Sequence, residues 1–234
     1  MTNQRTTPIN TMLTKNIDKL RCEVAAHVAA DKVAQGSYDT CFIGCLSGGG
    51  DRSEVIEREY GLPVMVQRIA ENIFEALSAD EAVKFFAAFP DAVREDNKDL
   101  SKVGWQFLAA ELRSLPAQPA EIQPVIDPVI AGMDLMAAGK QWPGAALAAE
   151  AAGRAAQAAA RAAARAAKAA ARAGRAAGLA GRAAAEAAED AGLDAGWAAE
   201  DAQAAGWAAG RIRQCDLLLR LIQEAPVLEA LPND

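Results

Sequence analysis

Residues 62–90 read LPVMVQRIAENIFEALSADEAVKFFAAFP, and this stretch indicates the fold class of the whole chain. In its first half the apolar residues recur every three or four positions, which places them on one face of an α-helix: Leu62, Val66, Ile69, Ile73 and Leu77. Pro63 suits the first turn of such a helix, where its missing N–H is not needed. The run Ser78-Ala-Asp-Glu81 is a capping box that begins a second helix, and we expect Pro90 to end it. The stretch therefore predicts two consecutive helices.

The same spacing recurs along the chain, while strand signals are nearly absent. There is no sustained alternation of β-branched and polar residues, and no Asn-Gly or Asp-Gly hairpin turn. Further helices are predicted over 11–35 (closed by Gly36), 99–115, 125–138 (closed by Gly139) and 211–224. The expected buried face of the last helix holds Ile212, Cys215, Leu219 and Ile222. The sequence thus predicts an all-α helical bundle.

More than half of residues 145–210 are alanine, the residue with the highest helix propensity. The larger side chains recur in steps of three and four from Arg154 to Trp197, so they lie on one stripe of a helix. The small residues elsewhere allow neighbouring helices to approach closely. A single helix of this length would extend about 100 Å, and several glycines interrupt it. We therefore expect a closely packed antiparallel layer of two or three helices, with an extended rod or coiled coil as the alternative.

Charge is segregated along this stripe. Its first half carries basic residues with no acid among them: Arg154, Arg161, Arg165, Lys168, Arg172, Arg175 and Arg182. Acidic residues follow over 186–201 with no base. We favour pairing between the two halves over a basic surface for nucleic acid or an acidic partner. Trp197 and Trp207 suit core packing more than exposed anchoring. Together with the basic stripe, they are the candidate partner-binding residues.

Composition excludes several classes of function. The chain of 234 residues has a formal net charge of −7, which argues against general binding to nucleic acid or to anionic membranes. The polar N-terminus lacks the apolar core of a secretory signal, and no uncharged apolar run of about 18 residues occurs. We expect a cytoplasmic protein without membrane association. Four cysteines in a chain of this length do not suggest a disulfide framework.

The break QWPG at 141–144 divides the chain into two predicted regions. Residues 1–140 form an N-terminal helical domain. Residues 141–234 form the alanine-rich helical region, which ends with an amphipathic helix.

Four residues near the N-terminus are candidate metal ligands: His27, Asp31, Cys41 and Cys45. His27 and Asp31 share one face of the predicted helix, and imidazole, carboxylate and thiolate are all ligands that zinc accepts. The Cys-x3-Cys spacing is looser than that of a zinc knuckle. We favour the competing interpretation, in which a buried histidine bonded to an acid lies beside two buried thiols. A thiolate nucleophile activated by His27 is a third hypothesis.

Several short motifs lie between residues 20 and 140: His27-x3-Asp31, Gly36-Ser-Tyr38, Cys41-Phe-Ile-Gly-Cys45-Leu, Tyr60-Gly-Leu-Pro63 and Phe74-Glu-Ala-Leu77. In these motifs, and in its alanine-rich C-terminal region, the chain resembles a group of uncharacterised bacterial and prophage proteins. The resemblance implies the context of a mobile genetic element and does not supply a mechanism.

The sequence as a whole favours a non-enzymatic protein that binds another protein. The prophage context suggests an inhibitor of a host defence complex, such as a nucleoprotein complex. A homodimer through the alanine-rich helices is a further expectation. The alternatives are a metal-dependent or thiol enzyme built on His27, Asp31, Cys41 and Cys45, and nucleic-acid binding through residues 154–182.

Overall fold

The computed structural model describes residues 13–37, 39–115, 123–143 and 209–229. These ranges contain eight helices and no β-strand, only two isolated β-bridges. The helices pack into a bundle, which confirms the all-α prediction. The alanine-rich layer lies outside the described residues. The helices are α1 (Ile17–Ala29), α2 (Phe42–Ser47), α3 (Ser53–Tyr60), α4 (Val64–Ala76), α5 (Ala79–Val93), α6 (Val103–Ser114), α7 (Gln123–Ala137) and α8 (209–224).

Helices α4 and α5 form as their sequence predicts. Pro63 is the N-cap of α4, and the predicted face of this helix is buried at Val66, Ile69 and Ile73. Ser78 is the N-cap of α5, where its hydroxyl oxygen accepts the backbone N–H of Glu81 at 3.4 Å. Such a bond satisfies one of the free N–H groups at the start of a helix.

The expected end of α5 at Pro90 is wrong, because the helix continues to Val93. Pro90 lies in the last turn, where a missing hydrogen bond disturbs few residues. Phe89, Ala92 and Val93 are all buried, and their packing holds the final turn in place. Tertiary contacts therefore outweigh the local preference of proline.

Helix α1 is shorter than the predicted range 11–35. It begins at Ile17, whose N–H donates to the carboxylate of Asp96 at 2.9 Å. It ends in a Schellman motif, since the N–H of Lys32 donates to His27 O and that of Asp31 to Val28 O. Asp31 has φ 52°, and aspartate tolerates this left-handed conformation better than most residues. Asp31 therefore ends the helix well before Gly36.

The core is organised around Phe42, the first residue of α2, which is completely buried. Its ring contacts Phe89 with centroids 4.9 Å apart and Phe86 with centroids 5.6 Å apart, both edge to face. Phe74 of α4 and Phe85 of α5 surround the same ring. The aromatic cluster thus joins three helices.

Helix α8, the amphipathic helix at the end of the predicted alanine-rich region, packs into this core. Cys215, Leu218 and Ile222 belong to the same buried cluster as the residues of α1 to α6. The ammonium of Lys98, a fully buried residue, donates to the carbonyls of Ile222 and Gln223 at the end of α8. The described end of the second region therefore completes the core of the first.

The buried face of α8 differs from the predicted one. Ile212 is 44% exposed, while Leu218 is completely buried in place of the expected Leu219. The buried positions step by three and then four residues from Cys215, as an amphipathic helix requires.

None of the helices that the structure describes combines the length and the apolar composition needed to cross a bilayer.

Candidate functional site

Cys41 lies where the chain enters α2, and its environment is set by that helix. It is the N-cap residue, and its sulfur accepts the N–H of Gly44 at 3.4 Å. Its side chain is buried, with only 4% of the residue exposed. The next free N–H of the helix, from Ile43, donates to the Glu71 carboxylate at 2.9 Å.

Glu71 and Glu75 come from α4, one turn apart on the same face. The Glu75 carboxylate accepts the N–H of Gly36 at 2.9 and 3.2 Å. Gln35 donates from its amide to the carbonyls of Phe74 and Leu77 at 2.6 and 2.9 Å. The end of α4 thereby holds the connection between α1 and α2 in place.

These side chains line a cavity of about 280 Å³, bordered by Gly36, Ser37, Cys41, Glu71 and Glu75. We call it the Cys41 pocket. The Cys41 sulfur and one oxygen from each carboxylate lie within 4.8 Å of one another. In the described part of the chain, neither carboxylate forms an ion pair. One thiol and two carboxylates form a donor set that a divalent cation accepts.

The pKa values of the thiols limit the chemistry of this site. Burial, together with a hydrogen bond to Glu71, raises the pKa of the Cys41 thiol from an ordinary 9.0 to about 12. Burial and the charge of Glu71 raise the pKa of the Cys45 thiol to about 11. Both thiols are therefore neutral at pH 7, whereas nucleophilic attack requires the thiolate. A bound cation would act in the opposite direction and favour loss of the Cys41 proton.

His27 and Cys45 line a different cavity, of about 380 Å³. The Tyr60 hydroxyl donates to the Glu23 carboxylate at its wall, and Lys19 forms ion pairs with Glu23 and Glu59. The Cys45 thiol donates to the carbonyl of Thr40 at 3.3 Å. This environment contains more charged groups than the Cys41 pocket, and its carboxylates already have a charged partner in Lys19.

The structure thus divides the four predicted zinc ligands. Cys41 borders one cavity, His27 and Cys45 border the other, and Asp31 is exposed and borders neither. Among the described residues, the close group of potential ligands contains only Cys41 from the predicted set. Its two carboxylates were missed because they lie about thirty residues away in sequence and become neighbours only when α4 packs on α2.

A second feature that the sequence did not reveal is the exposed segment after α8. Residues 226–229 are all exposed, and Val227 and Leu228 retain 46% and 39% of their accessible surface. Backbone hydrogen bonds hold this segment against residues 97–99. Two adjacent large apolar side chains therefore face solvent from a fixed position.

The candidate partner-binding residues from Arg154 to Arg182, with Trp197 and Trp207, lie outside the described residues. Binding of a protein or of nucleic acid by this stripe stays a prediction.

Comparisons with protein-family models, with curated proteins and with solved structures find no match to this chain.

Proposed function

We propose that this protein acts without catalysis, by binding another protein. The observation that carries the proposal is the exposure of Val227 and Leu228 on a segment fixed to the bundle. Isolated exposed apolar residues are ordinary on protein surfaces. Two adjacent exposed apolar residues on an ordered backbone form a surface that a partner can bury. Binding there does not incur the entropic cost of ordering a loop.

The environments of the cysteine thiols also favour a function without catalysis. Cys41 and Cys45 both have pKa values well above neutrality, and Cys41 borders a different cavity from the only imidazole of the chain. A thiol nucleophile requires a nearby base or cation that lowers its pKa. The described geometry therefore supports binding better than thiol catalysis.

The resemblance to prophage proteins extends this proposal to a class of partner. We infer that the partner is a component of a host defence complex, which the protein inhibits by occupying one of its surfaces. Residues 154–182 and the two tryptophans of the alanine-rich region are the second proposed contact area.

A pull-down tests the proposal. The full-length tagged protein is incubated with nuclease-treated bacterial lysate, and the eluate is quantified by mass spectrometry. We expect one host protein in near-stoichiometric amount. The double substitution Val227→Glu and Leu228→Glu should reduce its recovery at least tenfold, because charged side chains replace the apolar contact.

The matched control is Val64→Glu, which alters an apolar residue of similar exposure (37%) at the start of α4. It should leave recovery unchanged. The same protein recovered equally with all three baits would show that the C-terminal segment is not the contact, and a bait that captures no protein stoichiometrically would contradict the function itself.

Binding of a divalent cation in the Cys41 pocket is the second candidate function. The specific observation in its favour is the close approach of Cys41, Glu71 and Glu75 beside a cavity, without an ion pair to either carboxylate among the described residues. Zinc is the natural probe, since it accepts both sulfur and oxygen ligands.

Calorimetric titration of the metal-free protein with Zn²⁺ tests this second candidate. One equivalent should bind, and Glu75→Gln should weaken binding at least tenfold by removing one ligand charge. His27→Ala should have no effect if the Cys41 pocket is the site. Zinc binding that depends on His27 and not on Glu75 would assign the metal to the originally predicted ligands instead.

A further inference from the structure

The exposed segment after α8 is one edge of a small antiparallel arrangement of backbone segments. Residues 97–99 lie in the middle, with residues 13–14 on one side and residues 226–228 on the other. On the outer side, Asp99 N donates to Pro226 O at 2.8 Å and Leu228 N donates to Asn97 O at 2.9 Å.

This bonding pattern decides which backbone groups remain free. Val227 and Lys98 lie directly opposite each other but do not bond to each other. The hydrogen bonds are formed instead by their chain neighbours, residues 226 and 228 with residues 99 and 97, as in a non-hydrogen-bonded antiparallel pair. The N–H and C=O of Val227 therefore point away from residues 97–99. No described residue bonds to these groups of Val227.

Within the part of the chain that the structure describes, two properties leave this edge open to a partner. Proline usually protects an edge because it lacks an N–H, but Pro226 turns its backbone groups inward, toward Asp99, and so does not block the outer edge. The side chains of Val227, Leu228 and Glu229 are exposed and are therefore accessible to a partner.

The side chains on this edge specify what fits beside it. An extended backbone from Val227 to Glu229 would place Val227 and Glu229 on the same face and Leu228 on the opposite face, and would turn the backbone groups of Glu229 outward like those of Val227. A partner strand running antiparallel would place an apolar residue opposite Val227 and a basic residue opposite Glu229. Lys98, which lies directly across from Val227, is buried, and its ammonium already bonds to the carbonyls at the end of α8. Lys98 is therefore not available to form an ion pair with Glu229.

We propose that residues 227–229 bind an extended segment of a partner protein by strand addition, with the pattern basic–apolar–apolar opposite Glu229, Leu228 and Val227. This inference rests on the proposed protein-binding function and specifies its mode. The backbone provides the affinity and the side chains the register, as in other β-augmentation sites.

The test uses the full-length ¹⁵N-labelled protein and the peptide acetyl-Thr-Lys-Val-Val-Thr-amide, followed by NMR. We expect saturable shifts of the Val227 and Glu229 amide signals with a dissociation constant of about 1 mM, because so few residues pair. The same peptide N-methylated at the lysine and at the second valine loses the two N–H donors that would face Glu229 and Val227, and it should bind at least tenfold more weakly. A peptide with glutamate in place of lysine should also bind more weakly.

Val227→Pro removes the outward N–H and leaves the inward bonds of Pro226 and Leu228 in place. It should abolish binding while the melting temperature stays within a few degrees.

Equal binding of the N-methylated peptide to the unaltered protein would overturn strand addition, whether or not this variant folds. Concentration-dependent shifts of the Val227 amide without peptide would also overturn the proposal, because a second copy of the chain would then occupy the edge. If a host protein is captured in equal amount by the Val227→Pro variant and in the presence of excess peptide, the protein-binding function would be supported but strand addition would be excluded as its mode.

Discussion

At the scale of single residues, burial determines the chemistry of the cysteines. Three of the four are buried and one, Cys22, is exposed on α1. Burial raises the pKa of Cys215 to about 11, as it raises the values for Cys41 and Cys45. Cys22 is therefore the one accessible thiol of the four.

Thiol reactivity should follow this division. We expect the exposed Cys22 to react rapidly with Ellman's reagent at neutral pH, whereas the three buried thiols should react only after unfolding in urea. Absorbance at the thionitrobenzoate maximum gives the number of fast thiols, and Cys22→Ser should remove the fast phase. Rapid reaction of a second thiol would show that the folded bundle opens around one of the buried cysteines.

Cys41 should also make the stability of the protein fall at alkaline pH. From about pH 9 to about pH 12 the unfolded chain loses the thiol proton while the folded chain keeps it. The free energy of unfolding should therefore decrease by about 1.4 kcal/mol per pH unit for each such thiol. Burial lowers the pKa of Lys98, which acts in the opposite direction, but this contribution is common to the protein and its variants.

Cys41→Ser isolates this effect. Serine is a preferred N-cap residue, so the free energy of unfolding at pH 7 should be maintained. Because serine does not titrate in this range, the decrease of this free energy at alkaline pH should lose the contribution of one thiol. Urea unfolding at pH 7, 9 and 10 measures both quantities. Parallel curves for the protein and the variant would contradict the raised pKa of Cys41.

At the scale of elements, the ends of the helices depend on a few backbone conformations. Gly61 ends α3 with φ 67°, and a Cβ atom there would lie 1.9 Å from the carbonyl oxygen of Leu13. Gly36 has a similar φ of 75°, but a Cβ there would meet nothing within 4 Å. Both glycines therefore have a left-handed backbone conformation, but only Gly61 lies too close to another part of the chain to carry a Cβ atom.

Substitution by alanine separates these two requirements. Gly36→Ala should cost about 1 kcal/mol, the penalty of a left-handed conformation. Gly61→Ala should cost at least about 3 kcal/mol, because the segment at Leu13 must also move. Denaturant unfolding of both variants measures the difference, and equal losses would contradict the close approach of Leu13 to the end of α3.

At the scale of the whole molecule, the Phe42 cluster joins the elements into one cooperative unit. The ring lies between α4 and α5 although α2, which carries it, is only six residues long. A helix of that length has no stability of its own. Its position therefore depends on the burial of Phe42.

Phe42→Ala should destabilise the protein by about 4 kcal/mol, since it leaves a cavity among four aromatic rings. Phe42→Leu should cost clearly less, because it retains most of the apolar volume. Urea unfolding, followed by circular dichroism, measures both losses. A loss below about 1 kcal/mol for the alanine variant would show that the cluster does not hold the bundle together.

Local sequence signals are sufficient to predict the fold class and several of the helices. The three-to-four spacing of α4, the Ser78 cap of α5 and the Gly139 end of α7 depend on side chains within a few residues of one another, and the structure has all three. Such signals need no knowledge of distant parts of the chain.

The ends of α1 and α5, the place of α8 in the core and the residues that meet at the candidate sites all depend on tertiary packing. Glu71 reaches Cys41 because α4 packs beside α2, and the backbone groups of Val227 face outward because residues 97–99 bond to the segment after α8. These arrangements join residues far apart in sequence, so that no local periodicity or capping preference encodes them. The chemistry of the thiols follows for the same reason, since burial is a property of the packed bundle.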